Sequence, residues 1–414
     1  MIKNAAIYLL LIMFFTVSLS NAGTQVKVGA KVLAESGFSE LRGKNVGLVT
    51  NQTSVVDGVH LIDMMHAGGV RLTALFSPEH GLRGAAEDGV KIAEHVDKSS
   101  GAPVYSLYGK VKKPTPEMLH GLDLLLYDIQ GVGARFYTYI STMGLAMQSA
   151  AEAHIPFVVL DRPNPLGGEY LSGFVLEEGY RSFVGEYPIP TAHGLTAGEL
   201  ALMIKGERML PGLEDLDLRV IRMEGWRRGA MWPETGMQWT PTSPNIPDFE
   251  TVLLYPGMCF FEATTASVGR GTQEPFKVVG LPGLNANTLA AQLNGKNLHG
   301  VRFDPVQFTP RSIPGKSSRP KFRDQILPGV RLVITDSHAY RPVETGVQLL
   351  CSIYASLGER EREHFFQTEG FDLLAGTGRL RRLIQTGVSA DEVIAVWQKE
   401  NERFAESRMK YLLY

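Results

Sequence analysis

Leu122-Asp-Leu-Leu-Leu-Tyr127, the segment Tyr139 to Ala153, and Phe157-Val-Val-Leu160 together decide the fold. The first is apolar apart from Asp123, as expected of a strand covered on both faces. The second has helical spacing, and the third is another apolar strand. Strand, helix, strand is the crossover unit that joins parallel strands. The pattern repeats upstream, where Val46 to Thr50, Leu72 to Phe76 and Pro103 to Tyr108 read as strands and Leu61 to Ala67 as a helix. Thr115-Pro116 opens a short helix, with Thr as cap and Pro in the first turn. Thr196-Ala-Gly-Glu199 is a capping box that opens a helix through Ile204. The expected class is α/β, a parallel sheet with helices on both faces.

After about Met209 the pattern changes. Gly, Pro and Trp become frequent, residues 239–248 form a loop constrained by Pro241, Pro244 and Pro247, and Pro256 follows soon after. Short strands then mix with helices. The end is helical: Ser389-Ala-Asp-Glu392 is another capping box, and Val393, Trp397 and Phe404 share one face. A chain of 414 residues suits two domains. We place the boundary near residue 248, with an α/β catalytic domain over 23–248 and a smaller α+β domain over 249–414.

The first 22 residues read as a signal peptide. Lys3 supplies positive charge, Ala5 to Leu19 is apolar apart from Thr16 and Ser18, and Ser20-Asn21-Ala22 has small residues at −3 and −1 of the cut. The expected location is periplasmic or secreted, with no stable membrane insertion after cleavage. Cys259 and Cys351 are the only cysteines, so the chain is no disulfide scaffold; they either pair or stay as buried thiols. The net charge of −2 gives no electrostatic case for nucleic acid or an anionic membrane surface.

Polar residues gather just past the strands. Asn51, Gln52 and Thr53 follow the first, and Glu79 and His80 follow Leu72 to Phe76, in Phe76-Ser-Pro-Glu79-His80-Gly81. Asp128, Gln130, Arg135 and Tyr137 follow Leu122 to Tyr127, and Asp161, Arg162 and Asn164 follow Phe157 to Leu160. His193 precedes the capped helix. In an open α/β sheet this edge is where ligands bind. Structural duties are the competing reading: Asp161-Arg162 as an ion pair, Asn164 as a turn residue, Glu199 as a cap, and Asn51 and Gln130 as satisfiers of loop backbone. Glu79, held between Pro and His in a Gly-flanked turn, has few such duties.

Three chemistries fit these residue types. Glycoside hydrolysis needs a proton donor and stabilisation of an oxocarbenium-like transition state, commonly from two carboxyl groups. Glu79 is the best candidate for the acid, because a partly apolar turn favours the protonated carboxyl; Asp128, Asp161 and Glu262 are the candidate partners. Metal-assisted hydrolysis would use Glu79, His80, Asp128, Asp161 and His193, but no compact ligand spacing occurs. Dinucleotide binding would use Gly131-Val-Gly133-Ala-Arg-Phe136, where Phe136 stands in place of the third glycine. The Gly269-Arg-Gly271-Thr272 loop lacks a lysine and is not a phosphate loop. No cofactor or metal is therefore expected.

Specific stretches are spread along the chain: Gly47-Leu-Val-Thr-Asn51-Gln-Thr, Phe76-Ser-Pro-Glu79-His80-Gly-Leu-Arg-Gly84, Tyr105-Ser-Leu-Tyr-Gly109 and Asp128-Ile-Gln130. They continue through Gly133-Ala-Arg135-Phe-Tyr137-Thr-Tyr, Leu160-Asp161-Arg162-Pro-Asn164-Pro, His193-Gly, Ser243-Pro-Asn245, Tyr255-Pro-Gly257 and Gly269-Arg270-Gly-Thr272. On these stretches the chain resembles the NamZ-type exo-β-N-acetylmuramidases, from about Val46 to Tyr411-Leu-Leu-Tyr414, nearly the whole mature chain. The resemblance implies a Rossmann-like N-terminal domain, a smaller C-terminal domain and a cleft between them. It also implies release of N-acetylmuramic acid from the non-reducing ends of peptidoglycan-derived MurNAc-GlcNAc oligosaccharides, with Glu79 as the catalytic glutamate.

His80 or His193 would orient that acid. Arg135, Arg162 and Arg270 are candidates for the lactyl carboxylate, since a guanidinium pairs with carboxylate through two parallel bonds. Tyr137 and Trp239 are candidates to stack on a sugar, and Asn245 and Glu262 complete the expected substrate-binding set. Two positions depart from the family pattern: Gly131 stands where Asp is usual, and Val268 where Glu is usual. If those carboxylates shape the site, the chain would be a sugar-binding protein with impaired activity.

Overall fold

The computed structural model describes residues 25–83 and 95–414; the expected signal peptide lies outside the described residues. Among the described residues, nine strands lie in the first part of the chain: β1 (Asn45–Thr50), β2 (Val55–Val56), β3 (Val59–His60), β4 (Arg71–Ser77), β5 (His95–Val96), β6 (Pro103–Ser106), β7 (Leu124–Asp128), β8 (Phe157–Leu160) and β9 (Leu218–Ile221). Seven of them form one sheet in the order β5-β6-β4-β1-β7-β8-β9, with β2 and β3 a separate hairpin. Only β5 runs antiparallel to its neighbour. Counting the parallel strands along the chain gives the order 3-2-1-4-5-6 of a Rossmann sheet.

The two central strands are matched from Val46 beside Leu124 to Thr50 beside Asp128, so their loops leave the sheet side by side. This is the point where strand order reverses. The apolar runs behave as expected: β7 and β8 are buried throughout. The helix Tyr139–Glu152 covers one face through Met143, Ala146, Met147 and Ala150. The other face is covered by helices Gly29–Glu35 and Leu61–Ala67. The capping box at Thr196 forms as expected and starts the helix Ala197–Gly206.

The later part holds a three-stranded antiparallel sheet in the order β10 (Val278–Gly280), β12 (Leu327–Ile334), β11 (Val301–Phe308), packed with helices. Pro256 sits inside the helix Phe249–Met258 rather than in the preceding loop. That helix continues directly into the 3₁₀ turn Cys259–Ala263. It crosses the helix Pro342–Ser356 at Gly257 and Gly346, where a Cβ on Gly257 would lie 2.0 Å from the Pro342 carbonyl oxygen. Backbone meets backbone there, and only glycine permits it.

The last helix, Ala390–Arg408, joins both parts. Trp397 meets Phe174 edge-on with ring centres 5.2 Å apart, while Phe404 lies in the core under the first sheet. The chain end then folds back onto that sheet. Tyr414 donates its hydroxyl proton to Asp161 (2.8 Å) and accepts from the Met223 N–H (2.8 Å). Cys259 and Cys351 are both free thiols, so the pairing considered for them does not form.

Candidate active site

A cavity of about 270 Å³ lies at the carboxyl edge of the first sheet and is walled by both parts of the chain. From the first part come Glu79 and His80 after β4, Tyr108 after β6, and Tyr137 to Tyr139 at the start of the long helix. From the second come Tyr255, Cys259, Glu262, Arg270 and Phe276. Among the described residues, Glu79 and Glu262 are the two carboxylates that line it.

Local geometry explains how Glu79 is presented. β4 ends at Ser77, and Pro78 cannot continue the ladder. A turn closes where Gly81 N–H donates to the Pro78 carbonyl at 3.1 Å. His80 takes φ of 71°, left-handed for a non-glycine residue. Phe276, on the opposite wall, also holds a left-handed φ, of 62°. Each such residue costs on the order of 1–3 kcal/mol and persists only where its surroundings over-determine it. His80 is buried and Glu79 half-buried. The Tyr139 phenol has its pKa driven up, first by burial, then by Tyr137 and the Glu79 charge, which places Glu79 within electrostatic reach of it.

Glu262 is fixed by Arg270. The guanidinium engages both carboxylate oxygens, Nε to Oε1 and Nη2 to Oε2 at 3.0 Å, and lies 5.1 Å over the Phe276 ring. The Cys259 thiol, 3.8 Å from Glu262, is held protonated by burial and by that carboxylate. Tyr137 meets Tyr139 and Tyr255 edge-on at 4.8 and 5.7 Å, giving the cavity an aromatic wall.

Several expected site residues stand elsewhere. Asp128 and Arg162 form a buried ion pair, Nε to Oδ1 at 2.5 Å and Nη2 to Oδ2 at 2.9 Å, and Ser54 donates to the same carboxylate. Asp161 accepts from Thr196 Oγ1, Gly198 N–H, Arg162 N–H and Tyr414, so it anchors a helix start and the chain end. Burial raises its pKa to about 6, against the opposing pull of those bonds. Asn164 closes its own turn by accepting from Leu166 N–H and donates to the Leu195 carbonyl.

Arg135 is wholly buried and donates to the carbonyls of Phe174, Ile189 and Leu374 at 2.7 to 3.0 Å. It is a strut between the two parts, not a clamp for substrate carboxylate. Gln130 donates to the carbonyls of Gly131 and Pro163, and Asn51 accepts from Thr53. Asn245 donates to the Lys316 carbonyl beside the cavity. Trp239 is half-buried, rests edge-on against Trp232 at 4.9 Å beside the second core, and does not line the cavity. Of the three arginines considered for the lactyl carboxylate, only Arg270 lines it.

His193 is also removed from the cavity. It is buried, its Nδ1 accepts from Leu195 N–H at 3.2 Å, and burial with Arg408 and Arg135 nearby lowers its pKa to about 3. The unfolded chain therefore takes up a proton below pH 6.5 that the folded chain refuses until about pH 3. Stability contributed by His193 is complete above pH 6.5 and falls by about 1.4 kcal/mol per pH unit below it. Asp161, with its raised pKa, acts oppositely between pH 6 and 3.8. The comparison that isolates the effect is the unfolding midpoint of wild type against His193→Asn across pH 7 to 4. The gap between the two is expected to narrow as pH falls, and parallel curves would contradict it.

Neither departure from the family pattern touches the cavity. A Cβ on Gly131 would meet nothing within 4 Å, and Gly131 does not line the cavity. Val268 is buried in the second core. The residues considered for a metal do not converge either, since Asp128, Asp161 and His193 are each engaged away from Glu79 and His80. Among the described residues no group of three or more His, Cys, Asp or Glu is placed to hold a metal ion. Sequence reading missed Tyr255, Cys259 and Phe276 as cavity walls. The signal available for the first was its place in Tyr255-Pro-Gly257.

A Rossmann-type sheet with an acid on its second parallel strand's loop, faced across a cavity by an arginine-bound carboxylate from an α+β unit, defines a two-part hydrolase architecture. Residues 46–250 match the N-terminal family model, and residues 253–414 the C-terminal one, of "Exo-beta-N-acetylmuramidase NamZ". The chain belongs to this family. It is 41% identical, over 94% of its length and 92% of the relative's, to the peptidoglycan beta-N-acetylmuramidase NamZ of Bacillus subtilis (strain 168). Two crystal structures of DUF1343 family proteins from Bacteroides fragilis share the fold. They have TM-scores of 0.86 and 0.79 and identities of 39% and 37%, each covering 94% of this chain and 99% of the other.

Proposed function

We propose that this protein is an exo-acting β-N-acetylmuramidase that releases N-acetylmuramic acid from the non-reducing ends of peptidoglycan fragments. The observation that carries this reading is the convergence of Glu79 and Glu262, from opposite parts of the chain, on one cavity with aromatic walls. Glu79 is the proton donor to the glycosidic oxygen, and His80, beside it in the strained turn, orients it. His193 has no part in that step.

Arg270 occupies both oxygens of Glu262, so the second carboxylate is presented as one half of an ion pair. Such a pair suits charge stabilisation around the oxocarbenium-like transition state, while the sugar's own acetamido group serves as nucleophile. The same arginine is the cation for the lactyl carboxylate, which it receives by sharing its donors with Glu262. The expected substrates are MurNAc-GlcNAc oligosaccharides. An extracytoplasmic location follows from Lys3, the apolar run after it, and Ser20-Asn21-Ala22. Among the described residues no helix is long and apolar enough to cross a membrane.

The experiment is product analysis after incubation with a disaccharide whose non-reducing end is N-acetylmuramic acid. Free N-acetylmuramic acid is the expected product. Saturable binding without any product would support the sugar-binding reading instead.

A further inference from the structure

One lysine stands apart from every other cation near the cavity. Lys321 has no carboxylate partner among the described residues. Its ammonium instead donates into a ring of four backbone carbonyls, Thr264 at 2.6 Å, Glu262 at 2.8 Å, Ala266 at 3.2 Å and Phe261 at 3.3 Å. These carbonyls belong to the end of the 3₁₀ turn Cys259–Ala263 and to the segment leaving it. The Phe261 carbonyl also accepts from the Thr264 N–H and hydroxyl, and a cation at the end of such a turn complements the dipoles of its carbonyls. Burial lowers the lysine pKa to about 8, with Arg270 lowering it and Glu262 raising it.

Lys321 lies in the 309–326 loop between β11 and β12, and that loop braces the ion pair from its other side too. Arg311 N–H donates to the Gly271 carbonyl at 2.7 Å, one residue from Arg270. A Cβ on Gly271 would lie 2.7 Å from Pro320 Cγ, so the two loops are in tight contact. The Lys316 carbonyl accepts from Asn245. No residue of 309–326 lines the cavity itself.

We propose that Lys321 is a positioning residue, whose ammonium fills a carbonyl cage at the root of Glu262 and thereby sets the Glu262–Arg270 pair in the cavity. The inference rests on the reading of that pair as part of the active site. The cage has the form of a site for a compact cation that can donate hydrogen bonds, here supplied by the chain. Removing the ammonium leaves buried carbonyls without their shared donor, and the turn shifts to satisfy them. A displacement of about 1 Å in a reacting constellation can cost about 100-fold in rate.

The test is chemical rescue. Lys321→Ala opens the cage, and its kcat on a chromogenic N-acetylmuramic acid glycoside is expected to fall by up to about 100-fold, with little change in KM. Ethylammonium is expected to restore turnover in a saturable way. Tetramethylammonium, with equal charge but no N–H, is not. Lys321→Met, which fills the space without a charge, is expected to be impaired and unresponsive to both.

Wild-type kcat in Lys321→Ala would overturn the proposal, as would a loss that ethylammonium leaves untouched in folded protein. If Lys321→Ala does not fold, Lys321→Met decides, and a normal kcat in it overturns the proposal. The cage is also read without activity. Ethylammonium should raise the Tm of Lys321→Ala and not that of Lys321→Met, and equal responses would sink the cage whether or not the wild type is a muramidase.

Discussion

Glu79→Gln is expected to lower turnover of an N-acetylmuramic acid glycoside by about 10²–10⁴-fold, the range for loss of a general acid. The substitution keeps the size and the hydrogen-bonding shape of the side chain while removing the proton that must reach the leaving oxygen. Glu79 sits in a turn whose backbone is fixed by Pro78, by left-handed His80 and by Gly81, so an isosteric amide leaves the turn intact. KM should change little, since the acid acts in the transition state rather than in ground-state binding. The effect should shrink on substrates with a good leaving group, which needs no protonation. Near-wild-type turnover of a correctly folded Glu79→Gln protein on a poor leaving group would remove Glu79 from the catalytic role.

The largest effect on stability is expected at Asp128. Its carboxylate and the Arg162 guanidinium are both out of water, at 0% and 4% side-chain exposure. Asp128→Asn leaves a buried guanidinium without its counter-charge, and breaking such a pair on one side costs about 3–5 kcal/mol. Ser54 loses a charged acceptor as well. Asp128 ends β7 and Arg162 lies in the loop just past β8, so the loops after the two strands loosen together. Denaturant unfolding reads this as a lower midpoint. The double variant Asp128→Asn with Arg162→Met removes the uncompensated charge and should recover much of the loss. A double variant no more stable than Asp128→Asn alone would show that the pair is not the source.

The fold was readable where burial writes directly into sequence. β7 and β8 are covered on both faces and appear as apolar runs, and the capping boxes at Thr196 and Ser389 mark helix starts that form as read. β9 was not readable. Leu218-Arg-Val-Ile221 is a half-covered edge strand that carries an exposed Arg219 and follows a Gly- and Pro-rich stretch, so no run or alternation announces it. It nonetheless completes the Rossmann order.

The place of Glu79 on the cavity wall was legible, and the residues around it were not. A strand-end inventory cannot separate residues that face a ligand from residues that satisfy the sheet edge itself. Asp161, Asn164, Arg162 and Arg135 all do the second job, because helix starts, loop carbonyls and the returning chain end all need partners there. The opposite wall, with Glu262, Arg270 and Phe276, comes from nearly 200 residues further along the chain, and no local spacing links it to Glu79.

Removal of a terminal muramic acid residue by one cavity, with Glu79 as its acid, can be followed on a tetrasaccharide of alternating sugars with N-acetylmuramic acid at its non-reducing end, with products identified by mass spectrometry over time. The predicted result is free N-acetylmuramic acid and a trisaccharide headed by N-acetylglucosamine that persists without further cleavage, with both absent for Glu79→Gln. Release of disaccharides, or removal of N-acetylglucosamine from the shortened product, would show that the enzyme is not an exo-acting muramidase.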